Sequence, residues 1–295
     1  MFRLRFPPPE RGRNKVGVLA RIALAILACA VLCKSALAQA PQRVVSFNIC
    51  ADQLVVALAD PAQIAGLSPY AVDPTLSAVA EDARAFRRIE WQAESIVPLN
   101  PDLVLIGPRD RPVTRRLLNT LGFRVVEVDF VSTIEAAREQ VRAVASLLGH
   151  PERGEALLAR LDAARARLAA VARPNASSAL LIGHAGYTEG PASLAAALMA
   201  EAKLQPPAGA PAGMGGFVPL EKLLVMGPDL LVMSSLVDKP HDQGSVYLTH
   251  PALQALYPPS RRIVLPGRYT LCGGPGLVAG LDHLADALTR LAPSR

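Results

Sequence analysis

Histidine and cysteine are scarce, with five of the first and four of the second in 295 residues. His150, His184, His241, His250 and His283 are scattered along the chain. A zinc or manganese centre needs several histidines and carboxylates converging on one place, and His184 alone is a poor start. His241 and His250, near Asp238 and Asp242, read as solvated loop residues before they read as a surface metal site. No Ser, His and acid arrangement, no nucleophile elbow and no glycine-rich phosphate loop behind a strand is found, which argues against an enzyme. The glycines from Gly213 to Gly216 sit in a stretch dense in Pro, Gly and Ala, Gln205 to Gly216, which reads as a loop.

A basic face is lacking too. Formal net charge is +6, but the first 38 residues hold seven basic side chains against Glu10 alone. Removing them from 31 basic and 25 acidic groups leaves 24 of each sign. A neutral remainder gives no support to nucleic-acid binding. The leader itself has a basic start, an apolar run from Val16 to Leu32 broken by Arg21, and the small-residue site Ala36-Leu37-Ala38. It reads as a signal peptide over residues 1–38, cleaved after Ala38. A retained anchor competes with that reading, although only 11 apolar residues run unbroken from Ile22 to Leu32, too few to span a bilayer. Cys29 behind Ile26-Leu27-Ala28 also admits a lipoprotein, against which the apolar run continues. No later apolar stretch reaches spanning length, so the mature chain is expected to be soluble and periplasmic.

What the chain does have is alternation. Short apolar runs at Arg43–Phe47, Ile64–Leu67, Leu103–Ile106 and Val125–Val128 alternate with helix-like segments, a pattern of parallel α/β layers buried on both faces. Ser132 and Glu135 have capping-box spacing ahead of a helix that Gly149 closes. Pro151 then opens a second helix to about Ala172, and α/β runs resume at Ala179–Gly183, Leu230–Met233 and Arg262–Leu265. A helix that long between two α/β halves is either a strut or an ordinary packing helix, and composition does not choose. The segments Glu94–Ile106 and Glu221–Met233 form a weak repeat, identical at four of 13 positions: a short helix, a Pro-Asp turn and a buried strand. The expected fold is α/β, with two similar lobes of parallel-sheet core, 42–150 and 177–295, joined by one long rigid helix, 151–173.

From Arg43 to about Leu291 the chain resembles the periplasmic substrate-binding proteins of ATP-binding-cassette importers for iron-siderophores, haem and cobalamin. The motifs are Arg43-Val-Val-Ser-Phe-Asn-Ile-Cys-Ala-Asp-Gln-Leu, the two Glu-to-Pro-Asp-Leu units, Gly186-Tyr-Thr-Glu-Gly and Cys272-Gly-Gly-Pro. The resemblance implies a monomeric, non-enzymatic protein without a resident cofactor. It would carry a small metal-complex ligand to a membrane permease, docking through Glu94 and Glu221. Metal-ion binding, or an enzyme on a similar scaffold, is the alternative.

The ligand would lie between the lobes, where loops follow strand ends. Candidates are Asn48, Cys50, Asp52, Gln53, Tyr70, Trp91 and Arg109 from one lobe, and His184, Tyr187, Thr188, Tyr269 and Cys272 from the other. Aromatic rings suit a broad, flat ligand, and Arg109 suits an anionic group. Trp91 either lines the cleft or packs under it. Cys50 and Cys272 fall at matching loop positions, so a disulfide, two free thiols or soft ligands to a metal in the cargo stay open.

Overall fold

Two four-stranded parallel sheets carry the fold. A computed structural model describes residues 40–108, 111–172, 177–235 and 242–291, so the leader, Arg109, Asp238 and His241 lie outside it. The first lobe contains β1 (Val44–Ser46), α1 (Ile49–Leu58), β2 (Ile64–Gly66), the single turn α2 (Ala80–Ala83), β3 (Leu103–Ile106), α3 (Pro112–Thr120), β4 (Val125–Glu127) and α4 (Ile134–Leu148). α5 (Pro151–Val171) follows. The second lobe then runs β5 (Ser177–Ile182), β6 (Tyr187–Glu189), α6 (Leu194–Glu201), β7 (Leu204–Gln205), β8 (Gly215–Phe217), α7 (Leu220–Met226), β9 (Leu230–Met233), α8 (Gln243–Thr249), α9 (Pro251–Leu256), β10 (Arg262–Val264) and α10 (Pro275–Leu291).

The strand orders are β2-β1-β3-β4 and β10-β9-β5-β7. Read from its other edge, the second is β7-β5-β9-β10, the same topology as the first. The weak sequence repeat therefore falls on equivalent central strands, β3 and β9. Its physical content is visible on both sides: Asn100 and Gly227 each take a left-handed conformation, with φ of 44° and 51°, to end the short helix before Pro-Asp. The aspartate then reaches sideways to the neighbouring strand. Asp102 accepts hydrogen bonds from the backbone N–H of Gln42 and Arg43, at 2.6 and 3.0 Å, and Asp229 accepts one from Ser178 at 2.9 Å.

Because side chains alternate across a strand, each sheet divides the apolar residues between two cores. Val45, Val104 and Ile106 face an outer core of the first lobe, and Leu180, Ile182 and Leu231 one of the second. The inner faces, with Val44 and Leu103 on one side and Leu181 and Val232 on the other, belong to a single cluster that runs through α1, α4, α5 and α10. Residues 41–295 accordingly form one compact unit.

α5 packs against α4 and α10 and buries Leu157, Leu161, Ala164 and Leu168. Its 21 residues span about 32 Å at 1.5 Å each. Ion pairs stitch its outer surface: Arg142 with Glu155 at 2.8 Å, Arg165 with Glu201 through two 2.9 Å bonds, and Arg167 with Asp282 at 2.9 Å.

Two local expectations shift. Thr133, not Ser132, caps α4, accepting from the Ala136 N–H at 3.1 Å. The end of the Pro-rich loop forms β8, because it pairs antiparallel with β6. Among the described residues, no helix is long and apolar enough to cross a membrane.

At the α4–α5 crossing, a Cβ added to Gly154 would stand 2.6 Å from the Ala145 Cβ. We expect Gly154→Val to lower stability by about 1–3 kcal/mol through overpacking. The readout is a lower urea midpoint at unchanged m-value.

Candidate functional site

In parallel sheets the loops leaving the carboxyl ends of the strands gather at one edge. In the first lobe they bring an aromatic group together. Phe47, directly after β1, is buried and meets Trp91 edge-on, with ring centroids 5.4 Å apart. Tyr70, beyond β2, lies at 5.0 Å on Trp91 and is 47% exposed. The Arg111 guanidinium sits 4.3 Å from the Trp91 ring centroid, within cation–π range. Arg111 adopts φ of 40°, a conformation costly for a side chain with a Cβ. Sequence reasoning selected Arg109 for the cationic role and missed Arg111; its place immediately before the helix-opening Pro112 was the available signal.

In the second lobe the wall is the antiparallel pair of β6 and β8, in which Tyr187 pairs with Phe217, Thr188 with Gly216 and Glu189 with Gly215. Alternation puts Tyr187, Glu189 and Phe217 on one face, where Tyr187 and Phe217 meet edge-on at 5.5 Å. Thr188 points the other way and is buried, so it does not belong to the wall. Phe217 and Met214 are 70% and 65% exposed, and neither was singled out from sequence. His184 lies just ahead of β6, its Nε2 2.9 Å from Asp242 Oδ2, with its ring laid against Gly244. The Asp242 carboxyl is held well below its usual range, first by the Ser245 backbone N–H and then by His184.

A cavity of about 550 Å³ is lined by Thr75, Leu76 and Phe130 from the first lobe and Glu189, Met214 and Leu271 from the second; of the two aromatic groups, only the strand that carries Tyr187 contributes to it, through Glu189. A separate, smaller cavity of about 240 Å³ sits inside the second lobe beneath Pro206 and Pro211, and Glu189 borders both. Burial pushes the Glu189 carboxyl upward, and the nearby Ser193 hydroxyl opposes that shift.

The remaining candidates hold the seam between the lobes instead of lining the cavity. Cys50 and Cys272 form a disulfide with Cα atoms 5.2 Å apart, joining the first turn of α1 to the residues ahead of α10. Both are buried, so the free-thiol and metal-ligand readings do not fit this structure. Asn48 caps α1, its Oδ1 accepting from the Cys50 N–H at 2.9 Å. Asp52 is fully buried and accepts from the Ser68 backbone N–H at 3.1 Å and its hydroxyl at 2.5 Å. Gln53 is buried against Gly276 at the start of α10. α1 begins at Ile49, which turns Cys50, Asp52 and Gln53 inward. Tyr269 is half-buried between the Arg268 guanidinium, at 4.8 Å, and the His283 ring, at 5.5 Å, and packs on α10.

Glu94 and Glu221 are both exposed, each at the start of its repeat unit and on a different lobe. Among the described residues, no group of three His, Cys, Asp or Glu side chains converges to hold a metal ion.

Two similar parallel-sheet lobes, bridged by a helix and enclosing a cavity between their loop edges, define a two-lobed binding-protein architecture. Residues 44–245 match the periplasmic binding protein family, and the chain belongs to it. Among solved structures it is similar to the periplasmic haem-binding protein RhuT from Roseiflexus sp. RS-1, with TM-score 0.67, 24% identity and coverage of 85% of this chain and 99% of that one. The periplasmic vitamin B12-binding protein BtuF of Vibrio cholerae gives TM-score 0.64, 17% identity and coverage of 86% and 99%. An Fe3+-hydroxamate transport protein of the ABC type from Saccharomonospora viridis gives 0.63, 22%, 84% and 93%. Comparison with the curated proteins finds no match.

Burial raises the Asp52 pKa to about 7 from 3.8, outweighing the hydrogen bonds from Ser46 and Ser68. The folded state then keeps a proton that the unfolded chain releases, so this group's contribution to stability is full below about pH 4 and is lost as pH rises towards 7. We expect the difference in unfolding free energy between wild type and Asp52→Asn to shrink or reverse across that range, by at most about 1.4 kcal/mol per pH step. Urea titrations at several pH values read it, and a difference flat with pH contradicts it.

Proposed function

We propose that this protein captures a broad, largely apolar metal chelate of the haem, corrinoid or ferric-siderophore class between its lobes. It delivers that cargo to an ABC importer in the cytoplasmic membrane. The observation that carries the reading is the aromatic group at the strand-end loops of each lobe, Tyr70 and Trp91 with Arg111 on one and Tyr187 with Phe217 on the other, together with a cavity lined by residues of both lobes. Ring faces offer large contact area at small entropic cost, and a guanidinium over an aromatic ring is placed to meet an anionic edge of the ligand.

The protein acts by binding and not by catalysis, as a monomer in the periplasm after removal of residues 1–38. The lobes are 42–150 and 177–295, with 151–173 as the link. Membership of the periplasmic binding protein family supports the compartment and the transport role. A neutral mature chain supports the absence of nucleic acid from its partners. His184 borders the ligand at the rim, fixed by Asp242, while Asn48, Cys50, Asp52, Gln53, Thr188, Tyr269 and Cys272 act from behind the walls.

The test is calorimetric titration of the mature chain with haemin, cobinamide, cobalamin and ferric hydroxamates. Binding of one class is expected, with Trp91→Ala weakening it about tenfold or more, a loss of at least about 1.4 kcal/mol. No binding by a folded protein rejects the reading.

Delivery rests on Glu94 and Glu221, two exposed carboxylates on separate lobes that fit basic pockets of a permease. Each pair alone is worth about 0–1 kcal/mol, but two at a fixed separation set orientation. We expect Glu94→Ala with Glu221→Ala to leave ligand affinity unchanged and to abolish uptake in a reconstituted importer assay; unchanged uptake contradicts the docking role.

A further inference from the structure

We infer that the interlobe cavity is a subsite for a cationic group on the ligand, with Glu189 as the side chain that selects it. The inference rests on the cleft-binding reading above and adds to it the class of chelate carried.

Glu189 is the one charged residue among those lining the cavity; its companions there include Phe130, Val131, Leu194, Met214 and Leu271. The hydroxyl residues Thr75, Ser132, Ser193 and Thr270 complete the lining, Glu189 is exposed, and among the described lining residues no basic side chain is present to pair with its carboxylate. The carboxylate therefore favours an occupant that brings the missing positive charge. The backbone at this position is fixed. Glu189 ends β6, paired with Gly215, and Gly190 donates its N–H to the Met214 carbonyl at 2.9 Å. The two chains run so close here that a Cβ on Gly215 would stand 2.1 Å from the Thr188 carbonyl oxygen, and Gly215 has φ of 121°. Such a clamp holds residue 189 on the same face as the exposed rings of Tyr187 and Phe217.

The cleft thereby becomes electrically asymmetric. Arg111 stands over Trp91 on the first lobe and Glu189 on the second. A chelate with a protonated amine at one end binds in one orientation, whereas a dianionic disc meets like charge at the Glu189 end and is disfavoured.

The probes are ferrioxamine B, a ferric trihydroxamate bearing one free ammonium, its N-acetylated form, which keeps the metal centre and loses the charge, and the dicarboxylate haemin. Titration calorimetry of the mature wild type is expected to give tighter binding of ferrioxamine B than of the acetylated form, by on the order of tenfold. Glu189→Gln is expected to erase that gap while leaving the acetylated form unchanged. Glu189→Lys reverses the charge and is expected to shift preference towards haemin; thermal melts check that both variants fold. Equal wild-type affinities for the two ferrioxamines, a gap that survives in Glu189→Gln, or binding of haemin in preference to both ferrioxamines overturns this inference and leaves the cleft reading standing. Absence of binding by every chelate removes both.

Discussion

The structure depends on one shared apolar layer. The inner faces of the two sheets do not close on separate cores; they close on the same helices, α5 and α10 together with α1 and α4. Opening a hinge between the lobes would expose that layer to water at roughly 25 cal/mol per Å² of apolar area. The seam is also covalent, through Cys50 and Cys272, and its glycines admit close contact: Gly273 lies against Ala137 and Val131, and Gly274 against Leu54. The start of the last helix is thus embedded in the first lobe. The chain behaves as one body with a slot at its loop edge, and any closing on ligand is confined to small displacements and side chains.

That constraint explains where the site residues are. With the seam on one side of the sheets, the strand-end loops are the part of each lobe left free to vary, and there the exposed rings collect. Residues near the same strand ends but closer to the seam serve as fasteners. Asn48 caps a helix, Asp52 holds the loop that leads to Tyr70, and Cys50 ties the lobes. Chemistry that looks functional in a linear motif, a run of Asn, Cys, Asp and Gln, is here the means by which the aromatic wall is held in place.

Much of the fold was legible in sequence. Continuous apolar runs located the strands because parallel strands buried on both faces need no polar alternation. The Pro-Asp repeat located two equivalent central strands because the same local device, a left-handed residue and a sideways aspartate, ends the helix and anchors the strand in each lobe. Less of the site was legible. Tyr70, Trp91 and Tyr187 stand at strand-end loops beside Arg111 and Phe217, which the sequence reading did not single out. The placement of those two residues depends on a turn geometry and a strand-pairing register that no spacing rule encodes.

By itself the sequence determined the two-lobed α/β design, the helix between the lobes and the neutral charge of the chain beyond residue 38. These follow from composition and from periodicities of a few residues, which local sterics and burial impose. Only the tertiary structure decided that Cys50 meets Cys272 across 222 residues, that Asp52 and Gln53 are buried, and that Glu189 lines a cavity shared by both lobes. Those facts depend on which distant segments pack together, and burial of a side chain is a property of its neighbours in space, not of its neighbours in the chain.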